Sequence, residues 1–299
     1  MKISKNRKYF FVNKADVPGI DNFWVLLERG LWEFDTFQIF DEFLDKEHSY
    51  IDIGAWVGPT VLYGCQLAKH CYAAEPDSVA LKVLQENIDL NPRLANNITL
   101  YRGCISDSSG IVILGSNTHF GDSSSSLLFN KSNKFLDVQS LTFDDFIKIN
   151  NIDDCNFIKM DIEGGEAKVL PTMRKYLQEK IPTLFLSLHP FLFENNEKYC
   201  NAIIDILSIY PHIYSSDGKK IELDERFAVF MSTTKGNFSV IATAEWDYYR
   251  RLVYLYRYGM LKFVNRSKYY LSHPSEIPVL IKHKFKKSYG RFQEIIRKG

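Results

Sequence analysis

The stretch Tyr50-Ile-Asp-Ile-Gly-Ala-Trp-Val-Gly-Pro-Thr-Val-Leu-Tyr-Gly64 decides the fold. A short apolar run, Tyr50 to Ile53, carries one aspartate and ends at Gly54. Gly58 follows four positions later, then Pro59-Thr60 and an apolar-periodic segment to Ala68. This is the pattern of strand, tight turn and helix, with proline in the first helical turn, where a missing N–H costs nothing. The glycines let the backbone turn sharply and approach a ligand closely. Free N–H groups at the helix start favour polar or anionic ligand groups.

Working outward, Cys71 to Ala74 is a second apolar run and ends in Glu75-Pro76-Asp77. An acid at a strand tip roughly 20 residues beyond a glycine turn is where a nucleotide ribose is gripped through its hydroxyls. Glu75 lies 23 positions after Asp52. Gly54 and Gly58 do not form GxGxxG, so the glycines alone are a weak signal. Turn and acid together point to a nucleotide-type cofactor, against an ordinary strand–turn–helix with a surface glutamate.

From residue 50 onward strands and helices alternate. Strands are expected at 50–53, 71–74, 98–102, 155–160 and 183–188, and helices at 59–69, 78–90, 142–149, 165–179 and 196–209. Such alternation predicts a parallel sheet covered on both faces. Near-continuous apolar runs such as Phe157-Ile-Lys-Met160 and Leu184-Phe-Leu-Ser-Leu188 suit strands buried on both sides. Phe227 to Met231 and Phe238 to Ala242 read as a hairpin closing one sheet edge. Before residue 49, Tyr9 to Val12 reads as an edge strand and Thr36 to Leu44 as a short helix. Trp24 and Trp32 read as core or lid aromatics, the alternative being stacking on a substrate. The polar stretch Gly115 to Ser126 is either a mobile loop over the pocket or plain surface disorder.

With 299 residues, 45% of them apolar, the chain can bury a sizeable core. Five scattered cysteines in apolar surroundings suit buried thiols of a reducing compartment, not a disulfide framework or a zinc site. No apolar h-region follows the basic N-terminus and no span of ~18 apolar residues occurs, so a cytoplasmic protein is expected. The net charge of +1 hides an asymmetry: residues 245–299 hold thirteen Lys and Arg against four Asp and Glu. That basic, tyrosine-rich helical stretch suits a peripheral contact with the inner face of an anionic membrane, or packing on the acidic body. It carries no base-reading motif, so no nucleic acid is expected. The expected domains are a cap segment over 1–48, a cofactor-binding domain over 49–244 and the basic extension over 245–299.

Ligands of open parallel sheets bind outside the carboxyl ends of the strands. The groups at those ends are Asp52 with Gly54, Glu75, the run Asp161-Ile-Glu-Gly-Gly-Glu166, and His189. Acids and a histidine on adjacent tips suggest proton transfer or ion handling. Each has a plainer reading. Glu166 opens a helix whose dipole favours a carboxylate. His189 before a proline can satisfy backbone groups at a strand end. Asp161, Glu163 and His189 also form an oxygen and nitrogen set for a divalent metal, though without a spacing signature.

Five segments carry a family resemblance: Ile51-Asp-Ile-Gly-Ala-Trp-Val-Gly58, Ala74-Glu-Pro-Asp77, Asn87-Ile-Asp-Leu-Asn91, Gly103-Cys-Ile-Ser-Asp107 and Ile158-Lys-Met-Asp-Ile-Glu-Gly-Gly-Glu166. In this order they resemble the FkbM-type S-adenosylmethionine-dependent methyltransferases across roughly residues 50–190. The resemblance implies an α/β, Rossmann-like methyltransferase fold, with a seven-stranded, mostly parallel sheet and a C-terminal β-hairpin. It also implies S-adenosylmethionine as cofactor, with Asp52, Gly54, Ala55 and Gly58 around its methionine part. Glu75 and Pro76 would lie at the ribose, and Ile105 and Asp107 at the adenine. Asp161, Glu163 and His189 would face the methyl group and its acceptor. Trp56 stands where the family tends to have Asn or His, which bears on the acceptor more than on the cofactor. The implied reaction is O-methylation of a hydroxyl on a saccharide or other small molecule. The rival readings are a non-catalytic binding module of a glycan-assembly complex and an NAD-dependent oxidoreductase, the latter disfavoured by the glycine spacing.

Overall fold

The computed structural model describes residues 1–13, 17, 19–129, 134–193, 196–245, 254–255 and 259–260. The N-terminal part forms β1 (Lys2–Lys5), β2 (Lys8–Phe11), α1 (Ile20–Glu28) and α2 (Phe34–Phe43). Next come β3 (Ser49–Ile53), α3 (Pro59–Gly64), β4 (Cys71–Ala74), α4 (Ser78–Asp89), α5 (Pro92–Ala95) and β5 (Ile98–Tyr101). The middle of the chain holds β6 (Cys104–Ser106), β7 (Gly110–Ser116), β8 (Lys134–Thr142) and α6 (Phe143–Ile149). It continues through β9 (Cys155–Met160), α7 (Glu166–Thr172), α8 (Arg174–Lys180), β10 (Thr183–Leu188), α9 (Asn196–Leu207), β11 (His212–Ser215), α10 (Glu225–Thr233) and β12 (Phe238–Thr243).

Seven strands form the central sheet in the order β11-β12-β10-β9-β3-β4-β5. From β10 to β5 all neighbours are parallel; β12 runs antiparallel to both β10 and β11. The register puts Tyr50 beside Phe157 and Ile51 beside Ile158. Tyr50, Phe157 and Phe185 therefore enter one core, while Ile51, Ile158, Leu184 and Leu186 enter the other. Both faces of these strands are dry, which is why they read as apolar runs without alternation. The N-terminal segment shares the first core: Phe40 of α2 meets Tyr50 and Phe157 edge-on, at 5.6 and 5.4 Å between ring centres.

Four expectations change. The run Phe227 to Met231 lies in helix α10, not in a hairpin strand. Asp224 caps that helix by accepting the Phe227 N–H at 3.0 Å, and Phe227 and Met231 share its buried face one turn apart. β12 instead lies between β10 and β11, antiparallel to both, and β11 at the sheet edge precedes α10 in sequence. The helix expected at 165–179 is two, α7 and α8, which meet at Met173, two residues after Pro171. The helix expected at 59–69 ends at Gly64, where a Cβ would lie 2.4 Å from the Tyr50 hydroxyl. The expected edge strand at Tyr9–Val12 pairs with β1 in a separate two-stranded ribbon, outside the main sheet.

A second, three-stranded sheet has the order β6-β8-β7 and takes in Gly115 and Ser116 from the stretch expected to be loop. All five cysteines are buried free thiols. Most of the 245–299 extension lies outside the described residues, but Tyr254 is buried against the body and donates to the Ser216 carbonyl at 2.6 Å. Among the described residues no helix is long and apolar enough to cross a membrane.

Candidate active site

The carboxyl ends of β3, β4, β9 and β10 open into one cleft of about 250 Å³. Its walls include Gly54, Ala55, Trp56, Glu75, Pro76, Ile105, Asp161, Glu163 and His189. The tips meet because Gly54 has no side chain. At its φ of +88°, a Cβ would sit 2.0 Å from the Asp161 carbonyl oxygen.

Beneath the turn, the register sets Asp52 directly beside Lys159. Both are buried, and the Lys159 ammonium donates to Asp52 Oδ1 and to the Gly54 carbonyl, each at 3.2 Å. Burial alone would lower the lysine's pKa, but Asp52, Asp161 and Glu33 raise it and hold it cationic. Burial pushes the Asp52 carboxyl up, while Lys159 pulls it back. The pair thus fixes the shape of the turn from below.

Glu75 is 6% exposed and accepts two backbone N–H groups, Trp56 on Oε2 at 2.7 Å and Asp77 on Oε1 at 2.8 Å. Burial lifts its carboxyl to about 7 despite these bonds. A carboxylate has about four lone-pair sites, so roughly one remains on each oxygen. That leaves Glu75 suited to two adjacent hydroxyls.

Trp56 holds the outer wall. Its backbone is left-handed, with φ of 49°, and its indole N–H donates to the Gly121 carbonyl at 2.9 Å. The ring packs edge-on against Phe23 at 4.5 Å and lies 6.5 Å from Trp32, which also faces the cleft. Trp24, by contrast, is a core residue. The polar stretch near residue 120 reaches the cleft through Asp122, Ser123 and Ser125. Asp77, capping α4 with Oδ1, uses Oδ2 to accept the Gly121 N–H at 2.7 Å and the Ser125 hydroxyl at 2.8 Å.

The acids expected at the fourth tip meet the histidine of the fifth, because β9 and β10 are neighbours. His189 is 2% exposed. Its Nδ1 lies 3.3 Å from Glu166 Oε1, and its Nε2 faces Glu163 Oε1 at 3.6 Å and Asp161 Oδ1 at 3.8 Å. Burial would lower the imidazole pKa, but the three carboxylates raise it to about 9. Burial lifts Glu163 to about 7, opposed by His189. Glu166, read first as a helix-opening acid, is fully buried and also accepts the Ile162 N–H at 3.0 Å. It orients His189 from behind.

Three expected cofactor contacts do not line the cleft. Asp52 is turned under the sheet tip by Lys159. Gly58 faces α4, where a Cβ would meet Leu84 Cδ1 at 2.4 Å, so its glycine serves helix packing. Asp107 is exposed in the turn after β6, accepting from the Ser106 and Ser108 hydroxyls. Sequence reasoning passed over Lys159 and Glu33. A lysine inside an apolar strand, on the face of Asp52, was a readable signal for the first. Glu33 caps α2 in a left-handed conformation and lies open to the cleft. Desolvation at the cleft wall and the charge of Asp161 push its carboxyl up, opposed by Lys159 and by the Thr36 hydroxyl that donates to it. Nothing local in the sequence places it there.

The donor set suits a ligand with a vicinal diol, a flat apolar ring and a positive charge. Glu75 answers the first, the wall of Ile105, Leu114 and Leu127 the second, and Glu33, Asp161 and Glu163 the third.

A family model described as the methyltransferase FkbM domain matches residues 52–215. Among solved structures, the methyltransferase FkbM from Methylobacillus flagellatus KT is 19% identical, with a TM-score of 0.46 over 74% of this chain and 52% of that one. This chain thus spans about half the length of that relative. SMU.1697c from Streptococcus mutans, crystallised in complex with SAH, is 14% identical, with a TM-score of 0.37 over 69% and 94% of the two chains. Precorrin-6y C5,15-methyltransferase from Geobacter metallireducens GS-15 is 12% identical, with a TM-score of 0.37 over 80% and 94%. No curated protein matches. The family match covers the turn at Gly54, the acid at Glu75 and the acids at 161–166, the residues that build the cleft; the chain belongs to the FkbM family of S-adenosylmethionine-dependent methyltransferases.

Proposed function

We propose that the chain is an O-methyltransferase acting on a hydroxyl, with a saccharide or similarly polyhydroxylated small molecule as acceptor. One observation carries this: Asp161 and Glu163 share a cleft with Gly54 and Glu75, so proton-accepting groups face the place where a donor would lie. S-adenosylmethionine supplies a sulfonium-borne methyl group, which leaves with its bond to oxygen forming as the C–S bond breaks.

The protein's part is placement and charge. Glu75 holds the ribose hydroxyls, Gly54 and Ala55 let the methionine end lie against the backbone, and Ile105 with Leu114 covers the adenine. In-line displacement gains most from such alignment, since the reacting atoms must meet end to end. A sugar hydroxyl is a weak nucleophile, so its proton must leave as the new bond forms. Asp161, half-buried at the tip of β9, takes that proton, and Glu166 keeps His189 oriented beside it. Polar groups on the outer wall, Asp122, Ser123, Ser125 and Asn237, offer hydrogen bonds to a polyol, and Trp32 and Trp56 offer flat faces to a sugar ring.

The test is mass spectrometry of saccharides and nucleotide sugars incubated with the protein and S-adenosylmethionine. A single methyl increment on oxygen, lost in Asp161→Asn, supports the reading. Methylation on nitrogen or carbon alone, or full activity of Asp161→Asn, overturns it.

A further inference from the structure

The two ring nitrogens of His189 do different work. Glu166, buried and fixed by the Ile162 N–H, faces Nδ1 and so selects the tautomer with its proton there. Nε2, the nitrogen that carries or releases the second proton, is turned toward Glu163 Oε1 at 3.6 Å and Asp161 Oδ1 at 3.8 Å. Three electron-rich atoms from a 98% buried ring and two carboxylates lie within 4.8 Å of one another.

Such convergence calls for positive charge at its centre, supplied by the second proton of His189 or by a bound cation that displaces it. A proton shared with a carboxylate would draw its partners to about 2.7–2.9 Å, and neither carboxylate is so close. Ligands held about 2.0–2.2 Å from one cation lie roughly 3–3.5 Å apart; the two distances from Nε2 exceed that by a few tenths of an ångström, and the whole set, within 4.8 Å, would close inward on the ion. An imidazole behind which a carboxylate stands is the usual support of a metal-bound histidine.

We infer that Asp161, Glu163 and His189 bind one divalent cation of the Mn2+ class on the floor of the cleft. One nitrogen and two carboxylates suit such an ion better than Ca2+, which takes oxygen ligands throughout. Three protein ligands leave coordination positions open toward the cleft. An acceptor oxygen bound there would lose its proton more readily, and with Asp161 taken up as a ligand its part as proton acceptor passes to Glu33, on the same wall but outside the ligand set. This role for the ion rests on the hydroxyl-transfer reading above; the binding of the ion does not.

The experiment titrates the chelator-treated full chain with MnCl2 alone, read by calorimetry and by the electron paramagnetic resonance of free Mn2+. One equivalent is expected to bind, weakened at least tenfold in Glu163→Gln and again in Asp161→Asn. Thermal melting confirms that each variant is folded. No Mn2+ binding above that of an unrelated acidic protein, or binding unchanged in both variants, overturns the site. Binding without transfer to any hydroxyl leaves the site standing and removes the O-methylation reading. Transfer to a hydroxyl at full rate in excess chelator, with no Mn2+ bound, supports the O-methylation reading and overturns the ion's part in it.

Discussion

Glu75 and Lys159 show how single residues set the terms of this cleft. Each Glu75 oxygen spends one acceptor position on a backbone N–H and keeps another for the ligand. Glu75→Gln keeps the shape but offers an amide nitrogen where an acceptor is needed. Lost charge-assisted bonds of about 1.5–3 kcal/mol each predict SAH binding weakened by ten- to a hundredfold or more, measured by calorimetry. Because its carboxyl is raised to about 7, wild-type affinity should also fall as the pH drops below that value. Stability runs the other way. With a folded pKa above the unfolded one, proton uptake by Glu75 favours the fold; this contribution is complete below about 4.5 and lost as the pH rises through 7. Denaturant unfolding at pH 5 and pH 8 should show a smaller difference in Glu75→Gln than in wild type, the remainder coming from Glu33 and Glu163, whose carboxyls are also raised to about 7. Lys159→Met leaves Asp52 buried without its partner and should cost about 3–5 kcal/mol. Adding Asp52→Leu should restore much of the loss, and a single variant as stable as wild type would mean the ion pair does not hold the turn.

At the scale of elements, the loop over the cleft is held by a helix cap. Asp77 serves α4 with one oxygen and the loop with the other. Asp77→Ala should therefore cost about 1–2 kcal/mol and also speed proteolytic cleavage between residues 117 and 125; destabilisation without faster cleavage there would separate the two jobs. The strands of the main sheet were legible because burial on both faces leaves no polar alternation, and β4, β9 and β10 begin and end where the apolar runs do. Phe227 to Met231 misled because a short apolar run has the same composition in a strand and in a buried helix face. Only the spacing of Phe227 and Met231 after Asp224 marks the helix. The sheet β6-β8-β7 was missed because its pairing is set by partners distant in sequence and its outer residues, Ile111 and Phe135, are exposed.

For the whole molecule, the strand order decides what the cleft contains. Placing β9 between β3 and β10 brings Asp161 between Gly54 and His189, although more than a hundred residues separate Gly54 from Asp161. The acids and the turn were readable one by one, since each stands at the end of an apolar run. That Glu166 would hold His189, or that Glu33 would arrive from the N-terminal segment, depended on tertiary packing that no local pattern records. Ligand binding should also stabilise the whole domain: SAH at one hundred times its dissociation constant adds about 2.7 kcal/mol. At about 2–4 °C per kcal/mol for a domain of this size, Tm should rise by about 5–10 °C.

The most direct test of the shared cleft is a crystal structure of the chain with SAH. The expected result has the ribose hydroxyls on the Glu75 carboxylate, the adenine against Ile105, and the sulfur turned toward Asp161 and Glu163. SAH bound elsewhere, or bound here with its sulfur facing away from those two acids, would contradict it.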